Sequence, residues 1–458
     1  MAKNEEAMDK IVSLCKRRGF VFPGSEIYGG IGGIYDLGPL GVELAGNIKK
    51  AWWKKIVYGR DDVVGLDSAI LMNKDVWHAS GHVESFADPL VECKNCHSRF
   101  REDILPKSKN CPNCGKNDWT PPRMFNLMFE THIGPVEDDA STTFLRPETA
   151  QGIFVNFGNI VDTMRVKLPF GIAQIGKGFR NEITTGNFLF RVREFEMMEL
   201  EYFTYPKKAE ADFEYWKKER MDWFLDLGIK KENLRFREHA DTERAHYAVK
   251  SVDIEYNWPF ASTAGKPGWL ELEGIANRTD YDLKQHAKES GKDRSYFDEE
   301  TKEKIVPYVI EPSLGIGRAM LAFLIDAYHE EKAPTARPHS AEASRGKKEE
   351  EETRVVLKLD PRLAPIKVAI LPLVKDEKLI KIAKDIHKDL KKEWNALYDE
   401  VATVGRRYRR QDEIGTPFVI TVDFDTLKDD SVTIRDRDSM KQNRIEIVRL
   451  KEKINGLF

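Results

Sequence analysis

The sequence predicts an α+β protein in which a smaller α/β domain follows a larger domain of mixed strands and helices. Three observations carry this prediction: two β-type runs that form a hairpin pattern between residues 172 and 203, a polar insert with two C-x₂-C pairs, and alternating β-type and helical runs over the last part of the chain. A chain of 458 residues is long enough for about three domains, each with its own core.

The composition is that of an ordinary globular protein, with 33% charged and 41% hydrophobic residues. Its 73 basic and 76 acidic side chains give a net charge of -3, so any nucleic-acid contact would need a local basic patch. The polar, acidic N-terminal segment resembles neither a secretory signal nor a transit peptide, and no apolar run approaches the ~18 residues that span a bilayer. We therefore expect a cytoplasmic protein without a membrane segment, whose five cysteines stay reduced.

The N-terminal region combines a glycine-rich turn segment, residues 28–41, with a helical stretch from Val42 to about Val57. That stretch carries Trp52 and Trp53. Two adjacent tryptophans on an amphipathic helix fit either the protein core or a contact with a partner subunit, because aromatic residues are enriched in interfaces.

The insert at residues 91–119 contains two C-x₂-C pairs at nearly the spacing of a four-thiolate zinc site. The alternative is four reduced thiols in a ribbon without metal. The pattern favours structural Zn²⁺ without an open coordination position, so the metal would hold the insert together and would not act on a substrate. The expected ligands are Cys93, Cys96, Cys111 and Cys114.

The hairpin consists of the runs Ile172–Arg180 and Val192–Phe203 around a loop with Gly186 and Asn187. Neither face of the second run is cleanly apolar, although period-2 spacing groups its polar and aromatic side chains. Guanidinium groups suit phosphate, an aromatic ring suits a purine, and carboxylates suit an ammonium group. The alternative is an exposed strand with cross-strand ion pairs. One face would carry Arg193, Phe195, Met197, Glu199 and Glu201.

A second constellation is a β-type run followed by Gly315-Ile316-Gly317-Arg318 and an apolar helical run to Tyr328. Arg318 falls in the first helical turn, where the macrodipole disfavours a cation. An arginine there indicates an anion above it, since helix N-termini and guanidinium groups both bind phosphate. The alternative is a salt bridge to a carboxylate such as Glu311.

After Tyr328 the composition changes to a charged segment, Glu330–Thr353, that reads as a linker. The α/β alternation that follows defines a separate small domain. Its predicted elements are strands at Ile366–Leu373, Pro417–Asp423 and Ser431–Arg435 and a helix at Glu377–Trp394. The predicted organisation is a first domain at 1–330, the insert at 91–119, the linker at 331–354 and the α/β domain at 355–458.

One segment of the α/β domain, residues 405–415, concentrates arginines around a tyrosine. Arginines contact phosphates and an aromatic ring stacks on an unpaired base, so the segment suits single-stranded RNA. A solvated charged turn is the alternative. The candidate residues are Arg406, Arg407, Tyr408, Arg409 and Arg410.

Together these motifs resemble a known family. Phe179-Arg180-x-Glu182 with the later Arg191-x₃-Phe195-x₃-Glu199 resembles motif 2 of class II aminoacyl-tRNA synthetases, and Gly315-Ile-Gly-Arg318 resembles motif 3. Within that class, the runs 144–157, 272–283 and 415–417 resemble the dimeric type of glycyl-tRNA synthetase, and the match extends over nearly the whole chain. The proline that marks motif 1 is missing from residues 47–70, so the expected dimer depends on the overall resemblance.

The resemblance implies a catalytic domain on an antiparallel sheet, an anticodon-binding C-terminal domain, and a glycine–tRNA ligase that uses ATP, Mg²⁺, glycine and tRNA(Gly). Arg180 would hold the α-phosphate, Glu182 the adenine amino group, and Arg191 and Arg318 the outer phosphates. Phe195 would stack on adenine, and Glu271 and Glu311 would contact Mg²⁺ or the nucleotide. The catalytic residues implied are Arg180 and Arg318.

The same resemblance implies two sets of contacts. The ATP set is Arg180, Asn181, Glu182, Phe190, Arg191, Val192, Arg193, Glu194, Phe195, Glu271, Leu272, Gly315, Ile316, Gly317 and Arg318. The glycine set is Arg101, Glu148, Phe195, Glu196, Met197, Met198, Glu199, Glu311, Pro312, Ser313, Leu314 and Gly315.

Two rival functions belong to related proteins. A synthetase-like paralogue could bind nucleic acid without catalysis, and a synthetase could activate alanine or serine in place of glycine. A non-catalytic paralogue has no reason to keep the phosphate and adenine residues of both motifs together, and this chain has Arg180, Glu182, Phe195 and Arg318.

Overall fold

The computed structural model describes residues 2–105, 108–244, 247–261, 268–332 and 353–456. The helices are α1 (Ala2–Arg18), α2 (Pro39–Trp53), α3 (Asp75–Ala79), α4 (His82–Ser85), α5 (Ala150–Met164), α6 (Ala209–Asp226), α7 (Tyr281–Ser290), α8 (Ile316–Ala327), α9 (Glu377–Leu390), α10 (Val404–Ile414), α11 (Thr426–Asp429) and α12 (Leu450–Asn455).

The strands of the first domain are β1 (Val21–Pro23), β2 (Tyr35–Leu37), β3 (Val63–Gly65), β4 (Ala87–Glu92), β5 (Arg99–Arg101), β6 (Arg123–Asn126), β7 (Phe129–His132), β8 (Thr142–Leu145), β9 (Phe170–Phe179), β10 (Glu194–Thr204), β11 (Leu234–Glu238), β12 (Lys250–Asn257), β13 (Trp269–Thr279), β14 (Tyr296–Asp298), β15 (Glu303–Ile305) and β16 (Tyr308–Gly315). The later strands are β17 (Tyr328–Lys332), β18 (Thr353–Leu357), β19 (Val368–Pro372), β20 (Ala396–Tyr398), β21 (Phe418–Val422), β22 (Ser431–Asp436) and β23 (Gln442–Glu446).

The first domain is built on a seven-stranded sheet of order β11-β12-β13-β16-β10-β9-β3. Every neighbouring pair in it is antiparallel except β3 with β9. The antiparallel sheet implied by the resemblance is therefore confirmed. The hairpin is also confirmed, because β9 and β10 pair in one continuous register from Phe170↔Phe203 to Phe179↔Glu194.

The two faces of this sheet have separate roles, because side chains alternate along each strand. Met198 and Leu200 of β10 enter a large core that also contains residues of α1, α2, α6 and α8. Phe203 of the same strand enters a second core with residues of α5 and α7. The odd-numbered side chains of β10 therefore lie on the α5 face, and the even-numbered ones lie on the α2 face.

Helix α2 continues as a π-helical turn, Lys54–Tyr58, so the stretch predicted from Val42 to Val57 is helical. Trp52 is buried in the large core and Trp53 packs partly buried against it. The core alternative is therefore correct for Trp52. Cys15 of α1 is buried in the same core.

The C-terminal domain has a five-stranded sheet of order β20-β19-β21-β22-β23, parallel among its first three strands and antiparallel after them. The predicted strands at 417–423 and 431–435 are present. Helix α9 begins at Glu377 and is capped by Asp376, whose side chain accepts hydrogen bonds from the N–H groups of Lys378 and Leu379. It ends at Leu390, earlier than predicted.

The predicted linker, 331–354, lies mainly outside the described residues, but its two ends pair as β17 and β18. Four apolar side chains after it pack in the large core of the first domain and not in the C-terminal core, whose members begin at Val368. These four are Leu357, Leu359, Leu363 and Ile366. Judged by packing, the two domains divide between Ile366 and Val368, later than the predicted boundary at 354/355.

Within the described segments, none of the helices combines the length and the apolar character needed to cross a bilayer.

Candidate functional site

A cavity of about 380 Å³ lies on the α5 face of the sheet, where β10, β13 and β16 meet the loop of the hairpin. Its lining joins the two sequence constellations with the insert. The predicted residues that line it are Arg101, Arg180, Glu182, Phe190, Arg191, Val192, Phe195, Met197, Glu271, Ser313, Gly315, Gly317 and Arg318.

Arg180 follows β9 and is held in place by its neighbours. Its Nε donates to the carbonyl of Pro147 over 3.1 Å, and its guanidinium lies 5.3 Å from the ring centre of Phe195. The ring has room because its register partner is Gly178, where an added Cβ would stand 2.7 Å from the ring. A planar cation and an aromatic face are thus fixed side by side, as phosphate and purine recognition require.

Arg318 is the third residue of α8, so it lies in the first helical turn as predicted. Its Nη1 lies 3.0 Å from Oε1 of Glu271, its Nε donates to the carbonyl of Phe190, and its guanidinium lies 4.5 Å from the Phe190 ring centre. The salt bridge of the alternative is therefore present, although its carboxylate is Glu271 and not Glu311, which was named as an example. The charge of Arg318 lowers the pKa of Glu271.

Some lining residues were not found from the sequence: Phe86, Asp88, Leu127 and Leu189. Asp88 on β4 forms an ion pair of 2.9 Å with Arg101, which lies on the neighbouring strand β5. Burial raises the pKa of Asp88. No local pattern marks these residues, because the packing of segments distant in the chain brings them to the cavity.

Beside the cavity, Glu199 is buried and well supplied with hydrogen-bond donors. It accepts hydrogen bonds from the N–H of Thr149 over 2.7 Å, from the Thr149 hydroxyl, and from Ser313 Oγ over 2.8 Å. Ser313 lines the cavity and pairs with Glu199 in the β10–β16 register. The Glu199 carboxylate is therefore fixed next to the cavity.

Glu148 and Glu311 lie around Glu199 in a buried acidic cluster. Glu148 accepts from Gln151 Nε2 over 3.1 Å and lies 3.4 Å from His82 Nε2. Burial alone would disfavour its charge, but His82, Arg278 and Gln151 together outweigh burial and lower the pKa of Glu148. The sequence did not reveal His82, since a single histidine carries no spacing signal.

Arg278 is the buried cation of this cluster, and it was also missed. Its Nε and Nη2 donate to Asp282 over 2.8 and 2.7 Å, and its Nη1 lies 3.1 Å from both oxygens of Glu311. The Arg278–Asp282 pair follows from i,i+4 proximity at the start of α7. Glu311 meets it only because β13 and β16 are adjacent.

Several predicted site residues have side chains outside the cavity. Glu196 forms an ion pair with Lys49 of α2 over 2.9 Å, and Glu194 pairs with Lys177. The side chains at even-numbered positions of β10 face away from the site, whereas the predicted ATP and glycine sets contain both even- and odd-numbered residues of this strand. Four other predicted site residues lie in the large core: Met198, Leu272, Leu314 and Ile316. Pro312 is buried without lining the cavity.

Arg193 and Asn181 have supporting contacts. Arg193 donates to the carbonyls of Gly32 and Glu182, so it fastens the hairpin loop. The backbone N–H of Asn181 donates to the carbonyl of Leu127. Neither side chain lines the cavity.

The two carboxylates that were predicted to contact Mg²⁺ or the nucleotide, Glu271 and Glu311, differ in position. Glu271 lies in the cavity beside Arg318, where a phosphate-bound cation with oxygen ligands fits. Glu311 lies outside the cavity lining and pairs with Arg278. Only Glu271 therefore stands where Mg²⁺ of a bound nucleotide would be held.

The four predicted zinc ligands come together in the insert. Their Sγ atoms all lie within 4.8 Å of one another, with 3.6 Å between Cys93 and Cys114 and 3.5 Å between Cys96 and Cys111. Tetrahedral Zn–S bonds of ~2.3 Å require S–S separations of roughly 3.8 Å. The thiols therefore fit a closed four-thiolate zinc site.

The five predicted RNA-binding side chains at residues 406–410 do not form one common surface. Arg407 is buried and donates to the carbonyls of Pro372, Leu373 and Asp399. Arg410 pairs with Asp399, Arg409 contacts Asp412, and the Tyr408 hydroxyl bonds Thr421. Arg406 is exposed. The reason is that the segment is helix α10, where consecutive side chains point about 100° apart.

Two protein-family models match the chain. The "tRNA synthetase class II core domain (G, H, P, S and T)" matches residues 135–327, and the "Anticodon binding domain" matches residues 367–457. The first match includes both constellations and most of the cavity lining, whereas four lining residues precede it: Phe86, Asp88, Arg101 and Leu127. The second begins where the packing of the C-terminal core begins.

Solved structures of class II enzymes share the fold. The prolyl-tRNA synthetase of Giardia lamblia has a TM-score of 0.67 at 16% identity, covering 97% of this chain and 75% of that chain. The prolyl-tRNA synthetase of Cryptosporidium parvum has a TM-score of 0.63 at 17% identity, covering 98% and 74%. At such identities the likeness concerns the fold alone.

Curated relatives are much more similar in sequence. The glycine–tRNA ligase of Thermobifida fusca is 53% identical over 99% of this chain and 98% of its own length. That of Caldanaerobacter subterraneus is 55% identical over 96% of each. The chain therefore belongs to the glycine–tRNA ligase family of the class II aminoacyl-tRNA synthetases.

Proposed function

We propose that this chain is a glycine–tRNA ligase that converts glycine and ATP to glycyl-adenylate and pyrophosphate and then transfers glycine to the 3′ end of tRNA(Gly). The observation that carries the proposal is one cavity that is lined by arginines and borders a buried acidic cluster. Arg180, Phe195 and Arg318 line it, and so does Ser313, whose hydroxyl donates to Glu199 of the acidic cluster. The family and its named relatives agree with this reading.

The arginine end suits a triphosphate. The attacking glycine carboxylate is already ionised at neutral pH, so activation needs no general base. The protein must instead align the groups and offset negative charge as the carboxylate approaches the α-phosphorus. Arg180 would hold the α-phosphate, and Arg191 and Arg318 would neutralise the departing pyrophosphate. Mg²⁺, held through Glu271 and the phosphates, would add positive charge to the same oxygens.

The acidic end suits a small ammonium ion. The carboxylates of Glu148, Glu199 and Glu311 attract the amino group, and Ser313 holds Glu199 across the strand pair. We infer that glycine is selected by exclusion, since this buried cluster leaves little room for a side chain and a larger amino acid would clash.

Transfer to tRNA uses the same cavity, with the terminal ribose attacking the adenylate. The C-terminal domain would bind the anticodon, as its family model suggests. Of the five residues proposed for that contact, Arg406 has the exposed side chain that an RNA phosphate requires.

An ATP–pyrophosphate exchange assay tests the proposal against its rivals. Exchange that depends on glycine is expected. Absence of exchange would favour a nucleic-acid-binding paralogue, and exchange with serine or alanine in place of glycine would overturn the substrate assignment.

We further propose that the enzyme is a homodimer in the cytoplasm. Ile27 and Tyr28 are each 87% exposed, and Ile31 and Val42 nearby in sequence are more than half exposed, which indicates an apolar surface that a second copy would cover. Reduced zinc-binding thiols agree with the cytoplasm. One chain has a mass of 52.7 kDa, and sedimentation equilibrium should give twice this value. A monomer at all concentrations would contradict the dimer.

A further inference from the structure

Glu201 is a buried carboxyl group to which the proposed reaction gives no task. It lies two residues beyond Glu199 on the same face of β10. Its side chain is 0% exposed, and neither carboxyl oxygen has a hydrogen-bond partner among the residues that the structure describes. A carboxylate that has lost its water and gained no donor is strongly disfavoured. Burial, followed by the nearby Glu311, raises the pKa of Glu201 well above its ordinary value.

The carboxyl groups around Glu201 differ in how well their charge is stabilised. Glu199 has three donors from Thr149 and Ser313. Glu148 has Gln151 and faces His82. Glu148, whose pKa is lowered, can therefore stay ionised inside the cluster.

Arg278 cannot serve both of its carboxyl neighbours equally. Two of its nitrogens bind Asp282 at 2.7 and 2.8 Å, whereas a single nitrogen reaches Glu311 at 3.1 Å. One positive charge thus faces two carboxyl groups, with the shorter bonds on Asp282. Burial raises the pKa of Glu311 to about 8, with Glu199 and Glu148 adding to the effect and Arg278 opposing it.

Among the other titratable groups near the cluster, the buried Arg146 guanidinium is a second cation and interacts with Glu199, whereas Tyr247 and His286 carry no compensating charge near neutral pH. Tyr247 lies with its ring centre 3.9 Å from the Arg278 guanidinium, and burial raises the pKa of its hydroxyl. His286 bonds Gln151, and burial lowers its pKa to about 4. A cation that enters the cluster therefore meets an excess of acidic groups.

We propose that the ligand-free site holds both Glu201 and Glu311 protonated, and that binding of the glycine ammonium group displaces the Glu311 proton while Glu201 keeps its own. This inference rests on the proposed function. In the exchange, the O–H bond of Glu311 breaks, its proton leaves to solvent, and the new carboxylate pairs with the ammonium group, which keeps its three protons. Glu201, without a donor, remains a neutral acid that limits the negative charge of the site.

The exchange makes glycine affinity depend on pH. Below about 8, Glu311 must lose its proton before it can pair with the ammonium group, and this loss weakens binding. Affinity should therefore rise as the pH increases towards about 8 and then level off. A cluster that is fully ionised in the free state would show no such rise.

Titration calorimetry of glycine in buffers of different ionisation enthalpy measures the proton directly. Near pH 7 we expect release of about one proton per glycine bound to the full-length wild-type protein. Glu311→Gln should abolish the release. Glu201→Gln, a neutral variant of nearly the same shape, should retain it.

Infrared difference spectra on adding glycine provide a second measurement that weak binding by Glu311→Gln does not affect. The wild-type protein should lose one protonated-carboxyl band, and Glu201→Gln should lose it too. Binding without proton release, or release that disappears in Glu201→Gln and persists in Glu311→Gln, would overturn the inference. A failure of the proposed function is distinct from both, since glycine would then neither bind nor support pyrophosphate exchange.

Discussion

Arg318 and Glu271 form an ion pair of 3.0 Å that joins the first turn of α8 to strand β13 inside the cavity. In the absence of a phosphate, Glu271 balances the guanidinium that the helix dipole would otherwise disfavour. In the proposed reaction, a bound nucleotide would share Arg318 with this carboxylate, and Glu271 would help to hold its Mg²⁺. The pair would then keep Arg318 in position before the nucleotide binds.

Arg318→Ala should reduce glycine-dependent pyrophosphate exchange by about 100-fold or more, because charge on the phosphates would lose a fixed partner. Binding of tRNA, measured by filter retention, should stay unchanged. Arg318→Lys is the matched control: it keeps the charge, loses the fork, and should retain part of the activity. Exchange at the wild-type rate in Arg318→Ala would remove this residue from the phosphate site.

Glu199→Gln should raise the KM for glycine by about 10- to 100-fold, because a charged partner of the amino group becomes neutral. The KM for ATP should change little. Glu196→Gln is the control on the same strand, since Glu196 faces Lys49 on the other side of the sheet. Equal effects of the two variants on the glycine KM would contradict the placement of the amino-acid site.

Metal analysis of protein purified under reducing conditions should find about one zinc per chain. Cys114→Ser should lose the metal and make the insert sensitive to proteolysis, because the binding energy of zinc stabilises this fold. Cys15→Ala should keep the metal, since Cys15 lies in the large core. A wild-type chain without zinc would refute the four-thiolate site.

Arg406→Ala and Arg407→Ala should separate RNA binding from stability. Arg406 is exposed, so its removal should weaken tRNA binding without changing the melting temperature. Arg407 is buried and donates to three backbone carbonyls, so its removal should lower stability by about 2–4 kcal/mol. Paired tRNA titrations and thermal melts check both expectations. The assignment fails if Arg406→Ala melts early and binds tRNA normally.

Asp412→Ala should destabilise the C-terminal domain strongly. Asp412 is 0% exposed and pairs with both Arg354 and Arg435, so its loss leaves the buried Arg435 guanidinium without its carboxylate and leaves Arg354 with Glu331 alone. Such a loss costs about 3–5 kcal/mol. Asp425→Ala, which breaks only the exposed pair with Lys428, should change stability by less than about 1 kcal/mol. Thermal melting compares the two, and similar shifts would contradict the prediction.

The sequence by itself determined the hairpin, the Gly315–Arg318 turn before its helix, the four-cysteine insert and the C-terminal α/β domain. Each of these depends on contacts between residues close in the chain, so spacing and residue type suffice. Family membership also followed from the sequence, because several motifs occur together in the right order.

Only the tertiary structure decided which side chains share a site. Glu196 and Glu199 are neighbours in sequence, yet they lie on opposite faces of one strand, and helix α10 turns Arg407 inward and Arg406 outward. Asp88 and Arg278 reach the site through strand pairing and leave no local signal. The physical reason is that a local pattern determines the direction of each side chain relative to its own element, whereas the packing of distant elements determines what that side chain meets.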